Sequence, residues 1–100
     1  SIFDVAVDLR KGSSTYGNHY SIFLKSNSYI GFYIPEGFAH GFQALEDNTV
    51  IINSSSTKYS LEHEVGISWD SCGINWPLAN PILSVKDQKH PIFNDIISYF

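Results

Sequence analysis

The stretch "YIPEGFAHGF", from Tyr33 to Phe42, leads from an alternating apolar segment through a turn to a lone histidine. Pro35 has no N–H to give to a sheet ladder, so a strand that precedes it should end there. Gly37 suits the tight backbone of a turn, and His40 follows it among aromatic residues. Two interpretations remain open at this point. His40 is either a histidine buried behind an ordinary turn, or a side chain that the turn directs into a pocket.

Strands are predicted on both sides of this stretch, because apolar and polar residues alternate there with the period of a half-buried strand. Upstream, "FDVAVDLR" (3–10) places Val5, Val7 and Leu9 on one face, and "HYSIFLKS" (19–26) alternates in the same way. The polar stretch "KGSSTYGN" (11–18) between them is typical of a hairpin connection.

Further short strands are predicted along the rest of the chain, at 28–35, 40–45, 49–53 and 65–70. The first of these should carry Ile30, Phe32 and Ile34 on a common face. Turns rich in Gly, Pro and Asn separate the strands, and helical turns are expected only after Ser84, including one over 91–100. This pattern favours an all-β fold, an antiparallel β-sandwich of the jelly-roll type.

Composition narrows the class of protein further. One hundred residues with 43% hydrophobic content suit a single small domain with a real core. The net charge is only −4 and the basic residues are scattered, which argues against a nucleic-acid or membrane surface. No apolar run is long enough to span a bilayer. Cys72 is the only cysteine, so an intrachain disulfide is excluded and a reducing, cytoplasmic compartment is favoured.

The order Pro35-x-Gly37-x-x-His40 is similar to a motif of the cupin jelly rolls, in which the histidine points into the barrel. Many cupins bind a metal with that histidine, a His-x-His pair and a glutamate. No His-x-His is present here, and the other histidines lack metal-ligand spacing relative to His40; they are His19, His63 and His90. Neither a metal site nor another cofactor is therefore expected.

A closer resemblance emerges from five segments in order: "FDVAVDLRKGSSTYG", "YIPEGFAHGF", "LEHEVGISWD", "INWP" and "ILSVKD". Together they resemble the C-terminal part of the dTDP-4-dehydrorhamnose 3,5-epimerase family, over about Phe3 to Asp87. The resemblance implies a metal-free, cupin-like jelly roll that forms homodimers by strand exchange. It implies a dTDP-4-keto-6-deoxyhexose substrate, used in deoxysugar and surface-glycan synthesis such as that of the lipopolysaccharide O-antigen.

The same resemblance implies that residues 1–100 are the C-terminal part of a single domain. Family members carry their catalytic histidine, and basic residues that hold the nucleotide, in a further N-terminal segment. None of those motifs is found in these residues.

Four residues match positions of the family's site. Asp87 matches the aspartate that orients the catalytic histidine, although Ser84-x-x-Asp87 is also the pattern of a capping box that starts a short helix. Glu64 and Lys86 match positions near the nucleotide sugar; judged alone, they would be solvated surface charges. His40 matches a histidine that lines the pocket and contacts substrate.

One departure from the family concerns the acid that returns a proton to the sugar. Asn53 stands where the family has a tyrosine, and an amide has no proton to give in this way. Tyr59 matches a second aromatic position and could supply a proton, or could simply stack at an edge. Two functions therefore stay open: an epimerase acting at C3, at C5 or at both, and a catalytically degenerate relative that binds sugar nucleotides. A metal-dependent cupin oxygenase is disfavoured.

Overall fold

The structure, a computed structural model, describes residues 1–96. Its sheet has three antiparallel strands, β1 (Ile2–Asp8), β2 (His19–Leu24) and β3 (Phe38–Ala44). Their order is β2-β1-β3, and Val5 at the middle of β1 lies opposite Ser21 on one side and Gly41 on the other. The prediction of an antiparallel sheet is confirmed, and all three strands overlap predicted segments, although β3 begins at Phe38, two residues before the strand predicted at 40–45.

Strand β1 is buried along its whole length, which corrects the expectation of a half-buried strand. The face predicted for Val5, Val7 and Leu9 does form, and Phe3, Val5, Val7 and Leu9 make the core there. Asp4 and Asp8, on the opposite face, are buried as well. A period of two assigns residues to faces, but it cannot tell whether the rest of the fold covers the second face.

The connection from β1 to β2 is organised around Asp8. Its carboxylate accepts hydrogen bonds from Nε and Nη2 of Arg10, each at 2.9 Å, and from the Thr15 hydroxyl at 2.5 Å. The guanidinium also lies 4.8 Å from the centre of the Phe38 ring, at the start of β3. Arg10 holds the pKa of the Asp8 carboxyl well below its ordinary value, despite the opposing effect of burial. The predicted loop over 11–18 is therefore connected to the end of the central strand through the hydrogen bond between Thr15 and Asp8.

The turn that introduces β3 forms where the sequence predicts it. Gly37 has φ +87°, a conformation that side chains with a Cβ rarely adopt. Its carbonyl accepts a hydrogen bond from the Leu9 N–H at 2.9 Å, which connects the turn to the end of β1. Strand β3 begins at the next residue, Phe38, and carries His40.

Three predicted strands are not formed among residues 1–96, those at 28–35, 49–53 and 65–70. A strand needs a neighbour to complete its ladder, and these segments have none within the described part of the chain. The predicted face of Ile30, Phe32 and Ile34 is thus not part of a sheet, and Ile30 is exposed.

The helical turns partly match the prediction. Turns of 3-10 helix at Asp87–Lys89 and Phe93–Asp95 follow Ser84 as expected, whereas the turn at Leu61–His63 precedes it and contradicts that limit. Residues 97–100 of the turn predicted over 91–100 lie outside the described residues. Within residues 1–96, no helix has the length and apolar character needed to cross a bilayer.

Two side chains attach the C-terminal segments to the sheet. The Gln43 amide, on β3, accepts from the Leu78 N–H and donates to the Leu78 carbonyl, each at 3.1 Å, as a backbone partner would. Trp76 packs edge-on against Phe3 at 5.7 Å between ring centres, and its indole N–H donates to the Trp69 carbonyl at 2.9 Å. These contacts hold the segments after residue 64 alongside β3 and leave a cavity between them.

Candidate functional site

The cavity has a volume of about 960 Å³ and lies between β3 and the segments 64–69 and 78–90. Its size is at the upper end of the roughly 300–1,000 Å³ that small-molecule sites occupy. Ionisable side chains from three separate parts of the chain meet at its walls, among them His40, Glu64, Lys86, Asp87 and His90. Four of the five site residues predicted from the sequence are therefore brought to one cavity.

His40 is paired with a buried carboxylate. It lies opposite Ala6 in the sheet, so its side chain shares the face of Asp4, and Nε2 is 2.5 Å from Oδ1 of Asp4. Asp4 is 5% exposed, and the His40 side chain is 32% exposed. A carboxylate only accepts, so the proton of a neutral His40 lies on Nε2, and Nδ1 is left as an acceptor. His40 has a partner within the fold, and it is also among the residues that line the cavity.

Glu64 links two of the other predicted residues. Its Oε1 forms a close ion pair with Nζ of Lys86, and its Oε2 accepts a hydrogen bond of 2.7 Å from the Tyr59 hydroxyl. Lys86 and then Tyr59 lower the pKa of the Glu64 carboxyl, and the bond to Glu64 raises the pKa of the Lys86 ammonium. At neutral pH the pair is thus a carboxylate holding a permanently charged ammonium at the cavity wall.

Tyr59 is less well placed for proton donation. It is largely exposed, does not line the cavity, and directs its hydroxyl to Glu64. The hydrogen bond to Glu64 raises the pKa of Tyr59 above its ordinary value, because a phenolate beside a carboxylate is disfavoured. Asn53 is exposed and also lies away from the cavity walls. Among the described residues, neither side chain is positioned as an acid at the cavity.

The main-chain N–H of Asp87 takes part in the turn, and its side-chain carboxylate lies at the cavity wall. Its N–H donates to the Ser84 hydroxyl at 3.1 Å, so the capping interpretation holds for the main chain. Its carboxylate does not cap in return. Instead, Oδ1 lies 3.5 Å from Nε2 of His90, at the cavity wall. Ser84 and Asp87 therefore form the start of a turn, and the Asp87 carboxylate is left to face the cavity.

Two residues of the site had no assigned role in the sequence, Asp4 and His90. A charge in the middle of a strong strand pattern is a signal for Asp4, because such a charge needs a partner if the strand is central. His90 had no comparable signal: Asp87 lies three residues before it, but Gly66, against which its ring packs, comes from a distant position. Among residues 1–96, no group of three or more His, Cys, Asp or Glu side chains could hold a metal ion.

Comparison with known proteins identifies the relatives of this chain. Residues 1–95 match the family model described as dTDP-4-dehydrorhamnose 3,5-epimerase. The enzyme of that name from Sinorhizobium fredii is 45% identical over 94 residues, which are 91% of this chain and 48% of the relative. The one from Methanothermobacter thermautotrophicus is 47% identical over 93 residues, 88% of this chain and 50% of the relative.

Solved structures agree with these matches. The crystal structure of dTDP-4-dehydrorhamnose 3,5-epimerase from Sulfolobus tokodaii superposes with a TM-score of 0.80 at 41% identity, covering 94% of this chain and 52% of that one. The chain spans about half the length of the curated relatives that it matches. It belongs to the dTDP-4-dehydrorhamnose 3,5-epimerase family.

Proposed function

We propose that the full-length protein containing this chain is a nucleotide-sugar epimerase. Its substrate is a dTDP-4-keto-6-deoxyhexose, and it inverts C3, C5 or both by removing a proton next to the keto group. The observation that carries this proposal is the meeting of His40, Glu64, Lys86 and Asp87 at one cavity large enough for a sugar. Membership of the family supports the choice of substrate.

The chemistry requires three kinds of group. A 4-keto group acidifies the hydrogens on C3 and C5, because the carbanion left behind is delocalised as an enolate. A base removes the proton, a positive or hydrogen-bonding group stabilises the enolate oxygen, and an acid returns a proton to the opposite face. No metal or cofactor is needed for this sequence of steps.

The residues of the chain divide these tasks. Lys86, held by Glu64, supplies the positive charge near the keto sugar or its phosphates. His40, held by Asp4, contacts a substrate hydroxyl through Nδ1. Asp87 orients the base, a histidine supplied by the rest of the protein, and fixes its tautomer as an aspartate does for a catalytic imidazole.

The proton donor is the weakest part of the proposed site. Asn53 cannot serve, and Tyr59, which does not itself line the cavity, has its hydroxyl engaged in a hydrogen bond to Glu64. This favours proton exchange at C3 over a complete inversion at C5. It also supports a second candidate function, in which a catalytically degenerate relative binds the sugar nucleotide without converting it to product.

The remainder of the fold and the assembly belong to the same proposal. Extended segments without ladder partners leave apolar side chains such as Val50 and Ile52 exposed, the latter by 90%. We propose that strands from the rest of the protein, and from a second copy in a homodimer, cover them and complete a cupin-like jelly roll. The protein would act in the cytoplasm, and the sugar would enter a surface glycan such as the O-antigen. Sedimentation of the full-length protein tests the dimer, and a concentration-independent monomer would contradict it.

Solvent exchange tests the proposed activity. The full-length protein is incubated with a dTDP-4-keto-6-deoxyhexose in deuterated water, and NMR or mass spectrometry locates deuterium at C3 and C5. An epimerase incorporates deuterium at one or both carbons. A degenerate binder incorporates none, although the same ligand still binds in calorimetry.

A matched pair of variants tests the role of Asp87. Asp87→Asn should slow exchange at both carbons by about 10²-fold, the low end of the effect of a positioned acid or base. Asp95→Asn, a carboxylate change on the neighbouring 3-10 turn, should leave the rate within twofold, a bound set by roughly 0.4 kcal/mol of barrier. Equal rates in the two variants would remove Asp87 from the mechanism.

A further inference from the structure

The His90 ring packs so closely against Gly66 that a side chain at position 66 could not be accommodated without displacing the ring. A Cβ built on Gly66 would lie 2.5 Å from Cε1, 2.6 Å from Nε2 and 2.7 Å from Nδ1 of His90. Real Cβ atoms essentially never come so close to another heavy atom. The edge of the imidazole that carries both nitrogens therefore fills the space in which a side chain at position 66 would begin. Gly66 has no positive φ that would require glycine for backbone reasons.

The main chain around His90 is anchored on both sides of this contact. Pro91 restricts the preceding residue to extended conformations, and His90 has φ −69° and ψ 146°. The Ser68 N–H donates to the Pro91 carbonyl at 2.7 Å, and the Phe93 N–H donates to the Ser71 hydroxyl at 2.9 Å. Two hydrogen bonds thus align the segment after His90 with the segment after Gly66.

The ring directs its Nε2 toward Asp87 at the wall of the cavity. Nε2 and Oδ1 are 3.5 Å apart, and the His90 side chain is only 20% exposed. The positive form of His90 also contributes, after Lys86 and Tyr59, to the lowered pKa of the Glu64 carboxyl. His90 therefore lies within electrostatic range of both carboxylates at this wall, Asp87 and Glu64.

We propose that His90 is a positioning residue for the reaction: seated against Gly66, it holds the Asp87 carboxylate at the cavity wall. This inference rests on the proposed function, in which Asp87 orients the base. The 3.5 Å separation makes this an electrostatic contact, and a carboxylate has two oxygens, so Oδ1 can face the His90 ring while the other oxygen accepts from the base. Holding one oxygen limits rotation of the carboxylate and keeps the other directed at the base.

The activity test uses variants of the full-length protein and the rate of deuterium exchange. His90→Leu removes the imidazole that contacts Asp87, and Gly66→Ala displaces the ring without changing it. Each should lower kcat by about 10-fold, the low end of the effect of partners that orient a functional side chain, and leave KM within about twofold. His90→Gln keeps an N–H donor at a similar reach and should recover most of the lost kcat.

Two further variants make the comparison specific. The double variant with His90→Leu and Gly66→Ala should be no slower than the slower single variant, because both changes break one contact. Gly12→Ala, at a glycine with nothing within 4 Å of the added Cβ, should match the wild type. Wild-type kcat in Gly66→Ala, additive losses in the double variant, or a His90→Gln as slow as His90→Leu would overturn the proposal.

A second readout separates this proposal from the proposed function. The ¹⁵N NMR shifts of the His90 ring report on its contact with the carboxylate whether or not the protein turns over substrate. Asp87→Asn and Gly66→Ala should both move the Nε2 resonance, and Gly12→Ala should not. If the wild type exchanges no deuterium, the proposed function fails while this readout still decides whether His90 holds Asp87. Unmoved resonances would refute the contact.

Discussion

Replacing His40 by leucine should destabilise the protein through the carboxylate that it leaves behind. Asp4 lies on the central strand, is 5% exposed, and has its Oδ1 2.5 Å from Nε2 of His40. No other hydrogen bond to this carboxylate is present among residues 1–96. Removing one partner of a fully buried ion pair costs about 3–5 kcal/mol. Because the His40 side chain is 32% exposed, water can reach part of the site, and we expect about 2–3 kcal/mol.

Urea denaturation of the full-length protein measures this cost, as the change in the free energy of unfolding extrapolated to water. Asp4→Asn keeps a hydrogen bond to His40 without the charge and should cost about 1 kcal/mol, the difference between charged and neutral hydrogen bonds. The double variant with Asp4→Val and His40→Leu buries no charge and should be more stable than His40→Leu alone. His63→Leu is the control, because His63 is exposed at the end of the 3-10 turn Leu61–His63, where its imidazole bonds only the exposed Ser60 hydroxyl among the described residues.

Two results would refute this reasoning. If His40→Leu and His63→Leu cost the same, the Asp4 carboxylate does not depend on His40. If the double variant loses as much stability as His40→Leu, the loss comes from packing of the imidazole rather than from the unpaired charge. A change in the slope of the unfolding free energy against urea concentration, rather than in the midpoint, would indicate that the compactness of the unfolded or native state had changed instead.

Three other changes test separate parts of the molecule. Asn53→Tyr should raise C5 inversion relative to C3 exchange, measured by NMR in deuterated water, with unchanged affinity for the substrate; an unaltered ratio would show that another group is the acid. Arg10 holds the pKa of Asp8 below the ordinary value of about 3.9, so the ionised form stabilises the fold above that pH and this stability is lost as the pH falls. Asp8→Asn should therefore reduce stability at neutral pH and flatten its decline between about pH 5 and 3 in urea titrations, and an identical slope would contradict the assignment. Glu64→Gln should weaken binding of the sugar nucleotide in calorimetry by releasing Lys86, whereas Glu62→Gln, at an exposed site on the adjacent turn, should not.

Local patterns were sufficient to predict the strands of the sheet and the turn before β3. The alternation in 3–10 and 19–26 predicted β1 and β2, and Pro35 with Gly37 predicted the turn before β3, which begins two residues earlier than the strand predicted at 40–45. These features depend on residues close together in the chain: a side-chain period of two, a missing N–H, and a backbone angle that glycine accepts. The order of five short segments was also sufficient to predict the family, which the comparisons confirmed.

The candidate site was predictable only in part. His40, Glu64, Lys86 and Asp87 were expected at the site because their positions match a family pattern rather than a local rule; they line one cavity, and their roles stay predictions. The sequence also left open whether Asp87 caps a turn or faces the cavity. The structure shows that its N–H and its carboxylate do these things separately.

What the sequence determined by itself was therefore the three strands of the sheet, their faces and the turn that precedes His40. The tertiary structure alone decided that both faces of β1 are covered, so that Asp4 and Asp8 need partners. It also decided that 28–35, 49–53 and 65–70, although strand-like in pattern, remain unpaired within residues 1–96. Burial of a second face and completion of a ladder depend on contacts between segments far apart in the chain. A local pattern records which residues could make such contacts, but not which partners are present to make them.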